Sequence, residues 1–79
     1  MINYTICNQA DEIIFHKQCA TIEKYISPIE KATLLTDVDG SLIQKYVHEG
    51  IHITVFNDMN IDAVYVKSDK DIKHFFNRD

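Results

Sequence analysis

The stretch of residues 41–49 constrains the fold most, because it decides whether the strands beside it run parallel or antiparallel. As a strand, it would form a hairpin through Asp39 and Gly40, a strong short-range hairpin signal. As a helix, it carries its apolar residues on one stripe, whereas adjacent apolar pairs interrupt any two-residue alternation. Asp39 or Ser41 would cap that helix, and Gly50 stands where a left-handed residue ends one. The pattern favours the helix. Its apolar stripe is Leu42, Ile43, Tyr46 and Val47.

A longer helix is predicted over residues 10–26, which contain no Gly or Pro. Asn8 is placed to cap this helix, and Pro28 ends it because proline disfavours helical geometry at the residue before it. The apolar residues recur at helical spacing and predict one buried stripe. These residues are Phe15, Cys19, Ile22 and Ile26.

Strands are predicted at four places where β-branched and aromatic residues cluster. These are residues 2–6, 32–36, 51–56 and 63–66. The last two are separated by a short turn-forming cluster, so they are expected to form an antiparallel hairpin. A short terminal helix is predicted after Ser68, with Ile72, Phe75 and Phe76 on one face.

The predicted element order is βαβαββα. Helices between the early strands require right-handed crossovers and parallel pairing, and the final hairpin adds antiparallel pairing. The expected fold class is therefore α/β, a mixed four-stranded sheet with helices on both faces. A chain of 79 residues has room for one hydrophobic core, so residues 1–79 are expected to form one domain.

This order, together with several short motifs, resembles the thioredoxin-like superfamily. The motifs are Thr36-Asp37-Val38-Asp39, Gln44-Lys45-Tyr46, Gly50-Ile51, Val55-Phe56-Asn57-Asp58, Ile61-Asp62 and Ser68-Asp69-Lys70-Asp71-Ile72. The resemblance places the active-site Cys-x-x-Cys at residues 7–10, where Cys7 is kept and Ala10 replaces the second cysteine. The proline that the family has before its third strand is missing near residues 51–53.

Cys7 is therefore the candidate catalytic residue. Ahead of a helix, free N–H groups and the helix dipole would stabilise its thiolate, although the carboxylates of Asp11 and Glu12 would oppose this. Without a cysteine at Ala10, thiol–disulfide exchange would be monothiol and would need an outside thiol such as glutathione. Cys19, on the apolar stripe, is expected to be a buried apolar residue.

The charge balance limits the partners. Eight Lys and Arg against twelve Asp and Glu give a net charge of −4, which disfavours nucleic acid and anionic membranes. No stretch is apolar enough to span a bilayer, and two cysteines are too few for a disulfide framework. A cytoplasmic protein is expected, with free thiols and a protein or a low-molecular-weight thiol as partner. The alternative to a redox protein is a non-enzymatic acidic binding module, such as a small inhibitor or a toxin-immunity protein.

Two local motifs point to other chemistry and are set aside. Residues 34–41 look like the first motif of haloacid-dehalogenase-type phosphatases, with Asp37 and Asp39 as the reacting carboxylates, but too little chain follows to supply the remaining active-site residues. His48 and His52 are four residues apart, but Gly50 breaks any helix that would align them on a metal. No metal and no cofactor are expected.

Overall fold

The computed structural model describes residues 1–76, which form a six-stranded antiparallel sheet with one α-helix on one of its faces. The elements in chain order are β1 (Ile2–Cys7), α1 (Glu12–Tyr25), β2 (Glu30–Lys31), β3 (Leu35–Thr36), β4 (Leu42–His48), β5 (Ile51–Asp58) and β6 (Ala63–Ser68), followed by a 3-10 turn at Lys73–Phe75. No helix within residues 1–76 is long and apolar enough to cross a membrane.

The sheet has the spatial order β1-β6-β5-β4-β2, and β3 also pairs with β4. β4, β5 and β6 follow one another as antiparallel hairpins. β1 forms one edge of the sheet beside β6, and β2 lies at the opposite edge. The helix α1, which connects them, therefore carries the chain from one edge of the sheet to the other. The second edge is built from two short pieces, β2 and β3, that pair with different parts of β4.

The predicted helix at 41–49 is wrong: the segment is strand β4. Alternate residues from Leu42 to His48 are buried beneath α1, and the residues between them face the opposite side. The adjacent apolar pairs therefore serve two faces of a sheet. Gly50 does adopt a left-handed conformation, with φ of 82°, but it follows Glu49 at φ of 49°. Two successive residues with positive φ form the tight turn between β4 and β5, since that geometry matches the twist of a hairpin.

The α/β fold class with a mixed four-stranded sheet and helices on both faces is consequently contradicted. All pairings among the described residues are antiparallel, and α1 lies on one face. Of the strand predicted at 32–36, only Leu35–Thr36 forms a strand, β3, while β2 lies before the predicted range. The predicted terminal helix is one 3-10 turn. The part of that terminal helix prediction beyond residue 76 lies outside the described residues.

The strand predicted at residues 2–6 is confirmed as β1, and two further predictions are confirmed. The long helix forms as α1 and ends before the cis Ser27–Pro28 bond, although Asp11 rather than Asn8 caps it. The hairpin predicted from residues 51–56 and 63–66 forms as β5 and β6. Both predictions rest on hydrophobic patterns that lie within the segments themselves.

The hydrophobic core lies between α1 and the centre of the sheet. From the helix, Phe15 and Ile22 are fully buried. They meet the inward residues of the two central strands, of which Ile53, Val55 and Val64 are also fully buried. Burying one such side chain contributes about 1.5–3 kcal/mol to the transfer free energy, so this layer holds α1 on the sheet.

A polar contact fixes the helix against β4. The buried hydroxyl of Tyr46 donates a hydrogen bond to Oε2 of Glu23 at 2.6 Å, and Nζ of Lys31 lies 3.1 Å from the same oxygen. The Tyr46 hydrogen bond and, secondly, Lys31 lower the pKa of the Glu23 carboxyl against the opposing effect of burial. Glu23 therefore links α1 to both β4 and β2.

We predict that Tyr46→Phe lowers the free energy of unfolding by about 1–2 kcal/mol, because it removes a hydrogen bond to a charged acceptor while keeping the ring packed. Urea unfolding at neutral pH measures the effect. Tyr65→Phe removes a hydrogen bond from the less buried Tyr65 hydroxyl to the Asp58 carboxylate, so it is the matched control and should cost less. Equal losses in the two variants would contradict the structural role of Tyr46.

We also predict a loss of stability in alkali that depends on Tyr46. Burial, and then the hydrogen bond to Glu23, raises the pKa of Tyr46 far above its ordinary value of 10.0. Since the folded state holds the phenol proton more tightly than the unfolded state, this stability is fully present below pH 10 and is lost as the pH rises further. In Tyr46→Phe the free energy of unfolding should fall less steeply above that pH. An unchanged slope would contradict the prediction.

Candidate functional site

Cys7 does not lie at a helix tip, as the sequence suggested. It is half-buried at the end of β1, where it pairs with Val64. In the first turn of α1, the N–H groups of Ile13 and Ile14 donate to Oδ1 of Asp11 at 2.9 and 3.2 Å. The groups that were expected to stabilise a Cys7 thiolate therefore bind a carboxylate of the chain itself. Thiol exchange through Cys7 stays a prediction from the sequence.

Cys19 is buried, as predicted, with 7% of its surface exposed. It lies in the core between α1 and the sheet, near the hydroxyl of Tyr46. Burial is the main cause that raises the pKa of the Cys19 thiol. Cys7 and Cys19 are both free thiols, so no disulfide joins β1 to α1.

The histidine pair is divided between different surroundings. His48 is buried, and its Nδ1–H donates to the carbonyl oxygen of Pro28, while its ring packs edge-on against Phe75. His52 is exposed on β5. Among residues 1–76, no three His, Cys, Asp or Glu side chains come together in a way that could hold a metal ion.

Asp37 and Asp39, the carboxylates of the phosphatase-like motif, shape the turn between β3 and β4. Oδ1 of Asp37 accepts from the Val38 N–H at 2.7 Å, and Oδ1 of Asp39 accepts from the Ser41 N–H at 2.9 Å. Hydrogen bonds from Ser41 lower the pKa of Asp39, so this carboxylate carries its charge at neutral pH. Both residues are exposed at the surface.

The sheet face opposite α1, here called the open face, carries an aromatic centre. Strand alternation and register place Ile43, Phe56 and Tyr65 in one row across β4, β5 and β6. The rings of Phe56 and Tyr65 stack with centroids 4.7 Å apart and planes 16° apart. Nζ of Lys67 lies 5.6 and 5.8 Å from the two centroids, a cation–π geometry. These four residues are the open-face patch.

Acidic side chains lie at one end of this patch. A depression of about 270 Å³ is lined by Asp37 and Asp39 on the β3–β4 turn, by Asp58 at the end of β5, and by Ile43 and Phe56. Oδ2 of Asp58 accepts a hydrogen bond from the Tyr65 hydroxyl at 3.0 Å. The aromatic centre is therefore joined by a hydrogen bond to one of the three carboxylates, that of Asp58.

Exposed apolar residues extend the surface at the same end. Val38, at the tip of the β3–β4 turn, is fully exposed, and Ile61, in the β5–β6 turn, is 61% exposed. Ile61 borders a second depression of about 340 Å³ on the far side of Tyr65, next to Lys67 and Thr5. Two shallow depressions thus flank the aromatic pair, with apolar tips and carboxylates around them.

The sequence did not reveal this patch because residues 41–49 were predicted to be helical. A helix there removes Ile43 from the row and leaves Phe56 without a neighbour on that side. A signal for part of the patch was present: the predicted β5–β6 hairpin places Phe56 and Tyr65 out of phase with the buried Val55 and Val66.

We predict that a soluble thiol reagent modifies Cys7 in the folded protein and leaves Cys19 unmodified, because Cys19 is buried and burial raises the pKa of its thiol. Counting modified thiols by mass spectrometry measures this, with urea-unfolded protein as the two-thiol reference. Cys7→Ser should abolish the fast reaction. Rapid modification of Cys19 in the folded Cys7→Ser variant would contradict the packing described for α1.

The resemblance to the thioredoxin-like superfamily depends on helices between the early strands, and the structure has a strand at residues 41–49 instead. No family model matches the chain, and neither a curated protein nor a solved structure matches it significantly.

Proposed function

We propose that this chain is a non-enzymatic binding module that docks a basic protein on its open face. The observation that carries the proposal is the stacked pair of Phe56 and Tyr65 at the centre of a sheet face that α1 does not cover. A small inhibitor or a toxin-immunity protein would act in this way, by occluding a surface of its target.

The chemistry of the patch supports binding rather than packing alone. Aromatic residues dominate the energetic centres of protein interfaces because they bury a large area at a small cost in conformational entropy. Phe56 and Tyr65 are half-buried, held rigid by their stacking and by Lys67, and flanked by depressions that can receive side chains. A patch that is already ordered before binding loses little freedom when the partner arrives.

Charge supports a basic partner. The net charge of −4 attracts a positively charged protein at long range. Close to the patch, the exposed carboxylates of Asp37 and Asp39 can pair with an arginine or lysine of the partner. The carboxylates lie on the rim and the aromatic rings at the centre, an arrangement typical of specific interfaces.

The test uses the folded chain as bait in cell extract, followed by carbodiimide cross-linking, which joins carboxylates to neighbouring lysines. We predict one stoichiometric basic partner, with cross-links at Asp37, Asp39 or Asp58. Asp37→Asn with Asp39→Asn should weaken capture at least about tenfold, because the rim charges are lost while both Oδ1 acceptors of the turn are kept. Tyr65→Ser should weaken capture further by removing the aromatic centre.

Glu30→Gln with Glu49→Gln is the matched control, since it changes the net charge equally but at sites away from the patch. Capture by this control should stay close to that of the unchanged chain. Equal loss in both double variants would mean that the partner senses only overall charge. If Tyr65→Ser captured as much partner as the unchanged chain, docking on the open face would be contradicted.

A further inference from the structure

The two edges of the sheet are protected to very different degrees. The edge formed by β2 and β3 consists of two pieces of two residues each, and β2 carries Glu30 and Lys31. Short, interrupted and charged edge strands resist pairing with another chain. β1, at the other edge, is six residues long and pairs with β6 on one side. Its other side presents backbone N–H and C=O groups at the margin of the sheet.

β1 lies in the longest uncharged stretch of the sequence, since residues 1–10 contain no Asp, Glu, Lys or Arg. They also contain no proline, so this edge lacks the residues that commonly prevent strand addition. A β-bulge is present, because Thr5 pairs with Tyr65 and Cys7 with Val64, which leaves Ile6 as the extra residue. The bulge lies near the end of the strand and leaves residues 2–5 in regular register.

The side chains of β1 divide between the two faces of the sheet. Ile2 and Ile6 lie on the α1 side and are 36% and 39% exposed. Asn3 and Thr5 lie on the open face. Both apolar side chains thus lie on one side of the strand and both polar side chains on the other.

An apolar groove runs beside the same edge. It has a volume of about 270 Å³ and lies between β1, α1 and the C-terminal segment, with Tyr4, Ile6 and Val66 among its walls. Ile72 and Phe76 close its far side. Ile6 is itself part of this groove, so an apolar surface lies beside the unpaired backbone groups of β1.

We propose that β1 pairs antiparallel with β1 of a second copy of this chain. With the twofold axis at Tyr4, Ile2 of one copy lies opposite Ile6 of the other, and Asn3 lies opposite Thr5. Apolar then meets apolar beside the groove, and polar meets polar on the open face, so the edge is complementary to itself. Two chains of net charge −4 repel each other, and this uncharged strand is where they can approach with the least repulsion.

The dimer would have one continuous sheet with both copies of α1 on the same side, since side chains of directly paired residues share a face. Both open-face patches would then lie together on the other side. The dimer does not depend on the proposed binding function, because β1 carries none of the four patch residues.

Sedimentation equilibrium of the purified chain tests the proposal. We predict a mass twice that of the single chain, falling to the single-chain mass in Asn3→Lys with Thr5→Lys. In the proposed register each new lysine lies opposite a lysine of the other copy, and like charges in such pairs repel. Thr33→Lys with Thr36→Lys adds the same charge at the other edge and should remain dimeric. A single-chain mass for the unchanged protein, or a dimer that survives the β1 lysines, would overturn the proposal.

Hydrogen exchange gives a second measurement that needs no variant. In the dimer, the outward amides of residues 2–5 should exchange at least about tenfold more slowly as the protein concentration is raised through the dimerisation range. The amides of residues 32–34, between β2 and β3, provide the internal control and should show no such dependence. Exchange of the β1 amides that is independent of concentration would overturn the proposal even if the lysine variants failed to fold.

Discussion

The packing of α1 against one face of an antiparallel sheet is the constraint on which the rest of the structure depends. Phe15 and Ile22 fill the centre of that layer, and the Tyr46–Glu23 hydrogen bond fixes the helix to β4. Because successive residues of a strand point to opposite faces, the burial of one set exposes the other. The row of Ile43, Phe56 and Tyr65 is therefore a direct consequence of where α1 lies.

That consequence connects the fold with the proposed function. An antiparallel sheet tolerates one solvated face, which is ordinarily polar. Here the centre of that face is aromatic and its margin is acidic, a combination that contributes nothing to the core on the other side. The turn between β3 and β4 also contributes to this surface, because the Asp39 carboxylate accepts the Ser41 N–H within the turn and places its negative charge beside the patch.

Some of this architecture could be predicted from the sequence. The stripe from Phe15 to Ile22 predicts α1 because it is local and unambiguous, and the β-branched runs around Asn57 to Asn60 predict the hairpin. Residues 41–49 could not be assigned in this way. Leu42 with Ile43, and Tyr46 with Val47, supply apolar side chains to both faces of β4, and such pairs imitate a helical stripe. What decides between the two is pairing with β5, which lies outside the segment itself.

The functional residues could not be predicted from the sequence for related reasons. The sequence places Cys7, a reactive residue type, ahead of a helix. In the structure the N-cap position of that helix is occupied by Asp11, whose carboxylate accepts hydrogen bonds from N–H groups of the first turn. Phe56 and Tyr65, in contrast, carry no sequence signal of a functional role. Each is an ordinary strand residue alone, and they become a patch only when the register between β5 and β6 stacks their rings.

The most direct measurement is the exposure of aromatic rings in solution, read from NMR line broadening by a soluble gadolinium chelate. We expect strong broadening of the Phe56 and Tyr65 ring signals and none for the Phe15 ring, which lies under α1. Equal protection of all three rings would mean that the second face of the sheet is covered, and it would contradict the claim that this face is open for a partner.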